Sequence, residues 1–150
     1  MKKLLFFSMM CLLALTMSAQ DYVDLGLPSG TKWKKANEEG LYSYDQAAHK
    51  FSNNLPSKEQ FKELKSKCSW TWTGDGYNVT GPNGNSIFLP AAGYRNCNGT
   101  MGSVGTGGDY WSSSPKGSDN TWNLFFLSGG VGINYSHRCY GMSVRLVQNK

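Results

Sequence analysis

From Ser69 onward the chain is written in a period of two, and turn residues cut it into short pieces. Trp70-Thr71-Trp72-Thr73 alternates. Tyr77-Asn78-Val79-Thr80 and Ser86-Ile87-Phe88-Leu89 flank Gly81-Pro82-Asn83-Gly84, in which Pro sets one φ and Asn or Gly takes the positive one. Asp109–Ser113, Thr121–Leu127 and Val131–Tyr135 read as further short strands, the last two joined by Ser128-Gly129-Gly130. A final strand is expected near Ser143–Val147. Such a pattern is expected to form an antiparallel core of short hairpins.

The first half reads differently. Tyr22–Leu27 and Thr31–Trp33 form a hairpin around Pro28-Ser29-Gly30. Ser43-Tyr44-Asp45-Gln46 and Ser57-Lys58-Glu59-Gln60 are S-x-x-Q capping boxes, each opening a short helix. Phe61, Leu64 and Cys68 form the buried stripe of the second helix. Ala91–Gly108 is Gly-rich and aperiodic, and is expected to be a long loop. The expected class is therefore α+β, with two short helices, several short antiparallel strands and long loops. Five tryptophans supply large core surfaces, about 150–250 Å² each when covered.

The N-terminus carries Lys2 and Lys3, an apolar run from Leu4 to Met17, and Ser18-Ala19 before Gln20. This reads as a secretory signal peptide over residues 1–19, leaving a single domain over 20–150 in an extracytoplasmic setting: secreted, periplasmic or on the cell surface. Ser8-Met9-Met10 before Cys11 is a poor lipobox. No later stretch is apolar enough to be a transmembrane segment. Loss of Lys2 and Lys3 lowers the formal net charge from +5 to +3. Eight lysines fall between Lys32 and Lys67, mostly on helix faces, and arginines are few. Neither pattern suits a nucleic-acid partner. An exported chain permits disulfides. Of Cys68, Cys97 and Cys139, the first ends a helical stripe and the other two sit in loop-like contexts, so Cys97 is expected to pair with Cys139.

The stretch from Asn120 to Val147 is the least ordinary part. In Thr121–Leu127, alternation puts Trp122, Leu124 and Phe126 on one face and Asn123, Phe125 and Leu127 on the other. Val131 and Ile133 join the first set. Gly132 and Asn134 join the second, with Tyr135, Ser136, His137 and Tyr140 following in a turn. The second set reads as a ligand-binding face, since exposed Tyr and Asn on rigid backing suit recognition. The alternative is that Phe125 and Leu127 cover a second small core. Arg145, between Val144 and Leu146, needs inward partners: loop carbonyls or an acid such as Asp109. His49 reads as a surface helix residue.

The segments VDLGLPSGTKW, LPSKEQFKEL, CSWTWTG, GYNVTGPNGNSIFLPAAGYR, YWSSSP and GMSVRLV, in this order, resemble the Fibrobacter succinogenes major paralogous domain family. Its members are exported bacterial proteins, common in Bacteroidetes. The resemblance implies a C-type-lectin-like fold of the branch shared with formylglycine-generating enzymes. Some exported proteins of that fold are variable proteins of diversity-generating retroelements, in which a C-terminal segment is rewritten at adenine-containing codons to alter a binding face.

Enzymatic readings find little support. Gly102–Gly108 lacks the Lys-Ser/Thr ending of a phosphate loop. No paired carboxylates of a glycosidase are visible. Trp122-Asn123-Leu124 has Leu where a calcium-dependent lectin carries an acid. Cys139 has no second cysteine nearby, as a cysteine-dependent oxidoreductase of the formylglycine-generating type would need. Three thiols without CxxC spacing do not suggest a metal site, and no cofactor motif is present. The reading is a non-enzymatic, exported domain recognising a protein or glycan. The alternatives are a structural or packing domain of an exported surface protein without its own ligand, and that oxidoreductase.

Overall fold

A computed structural model describes residues 21–150, so the proposed signal peptide lies outside the described residues. β1 (Tyr22–Asp24) and β2 (Lys32–Lys34) form the opening hairpin. α1 (Tyr44–Phe51) and α2 (Lys58–Lys67) follow. Both capping boxes are formed. Ser43 and Ser57 accept from the backbone N–H of Gln46 and Gln60, whose side chains accept from the cap residues in return. β3 (Ser69–Trp72), β4 (Gly76–Thr80) and β5 (Ser86–Pro90) make a meander.

The expected α+β class is corrected here. Of the described residues 44% are strand and 14% helix, arranged as four small antiparallel sheets with two helices. The aperiodic segment from Ala91 is also more ordered than a loop. It contains β6 (Tyr94–Arg95) paired with β7 (Met101–Gly102). Between them, Asn96 Oδ1 accepts from the N–H groups of Asn98 and Thr100. Strands of two residues leave no period to read.

β8 (Gly107–Lys116), β9 (Asn120–Leu127) and β10 (Gly130–His137) build the longest sheet, in the order β10-β9-β8. Each runs further than its hydrophobic pattern. β8 includes Ser112-Ser113-Ser114, where the register shifts between Trp111 and Pro115. Serine hydroxyls hold that bulge: Ser112 Oγ donates to the Trp122 carbonyl at 2.6 Å, and Ser114 Oγ accepts from the Lys58 N–H at 2.9 Å. The second contact ties the sheet to the start of α2. β11 (Val147–Gln148) pairs with β2, which adds a third strand to the opening hairpin. The final strand is thus shorter than expected. Within Met142–Leu146, only the isolated bridges Tyr42↔Met142 and Tyr110↔Ser143 form.

Two hydrophobic clusters meet across the β8-β9-β10 sheet. Tyr110, Leu124 and Phe126 face the larger one, with Trp33, Phe61, Leu64, Tyr77, Val79 and Leu89. Tyr77 and Phe126 meet edge-on at 5.2 Å between ring centroids. Trp111, one residue on from Tyr110, faces the smaller cluster of Ala47, Leu55, Met142, Val144 and Leu146. The half-buried Cys68 lies at the edge of the first.

Arg145 is fully buried. Its guanidinium donates to Asn37 Oδ1 (2.9 Å), the Lys34 carbonyl (3.1 Å) and the Phe88 carbonyl (2.5 Å). It joins three separate segments and makes no ion pair with Asp109; burial holds its pKa down at about 10. A cation with oriented acceptors on several sides substitutes for hydration without a counter-ion. Replacing Arg145 by Ala removes all three bonds and leaves a cavity. Chemical denaturation should show a loss of about 3 kcal/mol.

Candidate functional site

The register of the long sheet decides which side chains share a face. Trp111, Asn123 and Asn134 are aligned across β8, β9 and β10. Asp109, Phe125 and Gly132 form the next row, and Thr121 lies opposite Ser136. At the β8 side this face is closed by the smaller cluster. Towards β10 it opens into a pocket of about 400 Å³, lined by Tyr94, Asp109, Asn120, Tyr135, Ser136, His137, Tyr140 and Met142.

Asn123 is 1% exposed, so it cannot belong to a displayed face. A buried amide needs partners. Its Nδ2 donates to Asp109 Oδ1, and its Oδ1 accepts from Ser136 Oγ, each at 3.3 Å. Asn123 therefore orients two pocket groups from behind.

The walls come from two segments laid across the sheet. Gly93 N–H donates to the Gly107 carbonyl at 2.8 Å. Arg95 and Gly141 exchange backbone hydrogen bonds of 2.9 and 2.7 Å. Tyr94 and Tyr140 meet with ring centroids 5.9 Å apart. The expected disulfide, Cys97–Cys139, joins the same two segments with Cα atoms 5.1 Å apart. His137 Nδ1 accepts from the Cys139 N–H at 3.2 Å, which leaves Nε2 to carry the proton of the neutral ring. The ligating atoms of Cys97, His137 and Cys139 lie within 4.8 Å of one another. With both sulfurs bonded together, neither is a thiolate available to a metal.

The remaining residues of the expected face are scattered. Tyr135 belongs to β10 and not to a turn. It lies on the first face, where its exposed ring meets Trp122 edge-on at 5.5 Å and Lys116 stands over it at 4.5 Å. Asn134 and Leu127 are exposed away from the pocket lining, and the half-buried Phe125 ring covers Gly132. Of the nine expected residues, Tyr135, Ser136, His137 and Tyr140 line the pocket. Tyr94, Asn120 and Met142 lie outside the face expected from sequence, where Asp109 enters only as a partner for Arg145. One signal for Asp109 was available: an acid placed between Gly107-Gly108 and Tyr110-Trp111, in a strand with apolar neighbours.

Asp109 is the one half-buried carboxylate in the pocket, and burial pushes its pKa up to about 6. Asn123 is its side-chain hydrogen-bond donor, and among the described residues no cation lies within salt-bridge distance of it.

The molecule is thus a small β-rich domain with one disulfide-braced, tyrosine-walled pocket around a carboxylate. A family model described as a domain of unknown function, DUF8237, matches residues 58–147, and the chain belongs to that family. The matched region contains every pocket residue. No curated protein and no solved structure matches the chain.

Two outcomes follow from this geometry. A carboxyl whose folded pKa exceeds its ordinary value favours the fold when protonated, and that contribution disappears as pH rises from about 4 through about 6. Asp109→Asn should therefore stabilise the protein by about 1–2 kcal/mol at pH 7.5 and by nearly nothing at pH 4, as read from urea midpoints. Breaking the disulfide with Cys97→Ser should cost about 2–4 kcal/mol, since it closes a loop with a sequence separation of 42. A thiol titration of unreduced, unfolded protein lacking residues 1–19 should find one free cysteine, Cys68.

Proposed function

We propose that this protein is an exported, non-enzymatic binding domain that recognises a protein or glycan through the pocket between β10 and the Tyr94 and Tyr140 segments. The observation that carries this reading is the convergence of Tyr94, Asp109, Ser136, His137 and Tyr140 on one concavity whose walls are cross-linked. Preformed concave sites with aromatic surfaces and a few convergent polar groups are the usual form of a ligand site. Walls held by a disulfide and a bridge lose little freedom on binding. Of the two residues in the covered-core alternative, Phe125 is half-buried and Leu127 is exposed, which supports that alternative at Phe125 alone.

Cysteine chemistry has poor support in the thiols. Burial, with a lesser contribution from Glu63, pushes the Cys68 pKa up to about 11, which leaves almost no thiolate at neutral pH. Cys139 is bonded to Cys97. Export rests on the residues before Gln20. The kinship to the Fibrobacter succinogenes major paralogous domain family rests on the ordered segments quoted above. A diversified C-terminal segment would place Asn123, Asn134 and His137 among the rewritten positions.

Glycan and protein arrays probed with the chain from Gln20, and with a His137→Ala/Tyr140→Ala variant of unchanged near-ultraviolet circular dichroism, test the reading. A ligand retained by the first and lost by the second is expected; a ligand bound equally by both would place recognition elsewhere. The flanking DNA should hold a near-copy of the segment encoding Trp111 to Val147, differing mainly at adenines, beside a reverse transcriptase. Absence of such a copy would make the sequence a fixed one and remove the diversification part of the proposal.

A further inference from the structure

We infer that the pocket takes a protonated primary amine, seated against the Asp109 carboxylate and flanked by the Tyr94 and Tyr140 rings. The inference rests on the pocket being the ligand site, as proposed above, and adds the charge of the ligand.

Three structural facts lead to it. The first is an uncompensated anion. Asp109 Oδ1 accepts one long hydrogen bond, 3.3 Å from Asn123 Nδ2, and no side chain or backbone donor reaches Oδ2 among the described residues. Partly buried charges are ordinarily paired. The second is that none of the nearby arginines and lysines forms an ion pair with it. The Arg95 guanidinium packs on Gly141, Arg138 stands over the Tyr44 ring at 4.9 Å, and Lys116 stands over Tyr135. The third is the wall. Two tyrosines line the same concavity as the carboxylate, so an ammonium group there meets a counter-ion with aromatic surface beside it. Ser136 Oγ, fixed by Asn123, adds an acceptor on the same side. A hard metal ion would be poorly served, since one carboxylate is far from the six to eight oxygens calcium takes. Neutral hydroxyls would satisfy the oxygens but leave the charge uncancelled. At about 400 Å³ the pocket admits an amine with a short stem, not a large ligand.

The amine could come from a lysine side chain of a protein or from an amino sugar, and the test separates these sources. Amide and side-chain NMR shifts of the chain from Gln20 are followed during titration with N-acetyl-lysine amide and with glucosamine. The neutral counterparts are N-acetyl-norleucine amide and N-acetylglucosamine. The amines should shift the Asp109, Ser136 and Tyr140 resonances with at least ten-fold tighter binding than their counterparts, and Asp109→Asn should erase that preference. The tighter of the two amines identifies the source. Equal binding of a neutral probe at these residues, surviving Asp109→Asn, would overturn the amine inference and leave the pocket standing as a ligand site. Failure of both amines to shift these residues would also overturn it. The pocket reading itself then falls only if the array ligand is indifferent to His137→Ala/Tyr140→Ala.

Discussion

Tyr110 and Trp111 are neighbours on β8 and point into different cores. A strand whose two faces are both buried fixes the depth and tilt of the sheet it belongs to, because neither face can slip towards solvent without uncovering an aromatic ring. β9 follows, with Leu124 and Phe126 on one side and Asn123 on the other, all but sealed. Burial then fades at β10, where no side chain is fully covered. The pocket exists because of that gradient. The smaller cluster ends at Met142, and the space beyond it, over Asp109 and Ser136, is roofed only by the two tyrosine segments.

The same geometry accounts for the polar residues within the sheet. Asn123 lies opposite Trp111, at the boundary between dry core and open pocket. An apolar residue there would extend the core but leave Asp109 and Ser136 without their shared partner. An amide can donate to one and accept from the other. Arg145 does related work in the strand-poor return of the chain. It reaches carbonyls of β2 and β5 from a segment that forms almost no ladder of its own. Arg145 thereby supplies side-chain hydrogen bonds to buried carbonyls, while Asn123, in a fully paired strand, satisfies side chains.

What could be read from the sequence was local. The two helix starts depend on four-residue boxes, and both formed. The β4–β5 turn depends on Pro, Asn and Gly at adjacent positions, and it formed. Cys97 and Cys139 were paired from their loop-like settings. Strand lengths were not legible, because Gly107-Gly108, Ser112–Lys116 and Ser136-His137 look like turn sequence. Gly107-Gly108, Pro115-Lys116 and Ser136-His137 become strand because they pair with β9, while Ser112–Ser114 are carried along as a bulge. Strand content was underestimated for the same reason. Two-residue alternation also cannot say whether a polar face meets water or a second core. That ambiguity places Asn123 outside, whereas Tyr135 is read into a turn because the turn-like Ser136-His137 hides the end of β10.

Asp109 shows the limit most clearly. In sequence it is an acid beside Gly, and the nearest unexplained need was a partner for Arg145. The fold gives Arg145 three neutral acceptors, and so releases the carboxylate from a structural duty. An ionised Asp109 then opposes folding at neutral pH, because burial costs it hydration and no cation returns the energy. Groups that oppose stability in a braced concavity are characteristic of binding and catalytic sites, where the missing interaction is supplied by the ligand. The disulfide and the tyrosine pair fix the two wall segments to each other beside that carboxylate. The pocket's rigidity and its unpaired carboxylate thus meet in one place: a cross-linked concavity holds a half-buried acid that no cation among the described residues neutralises.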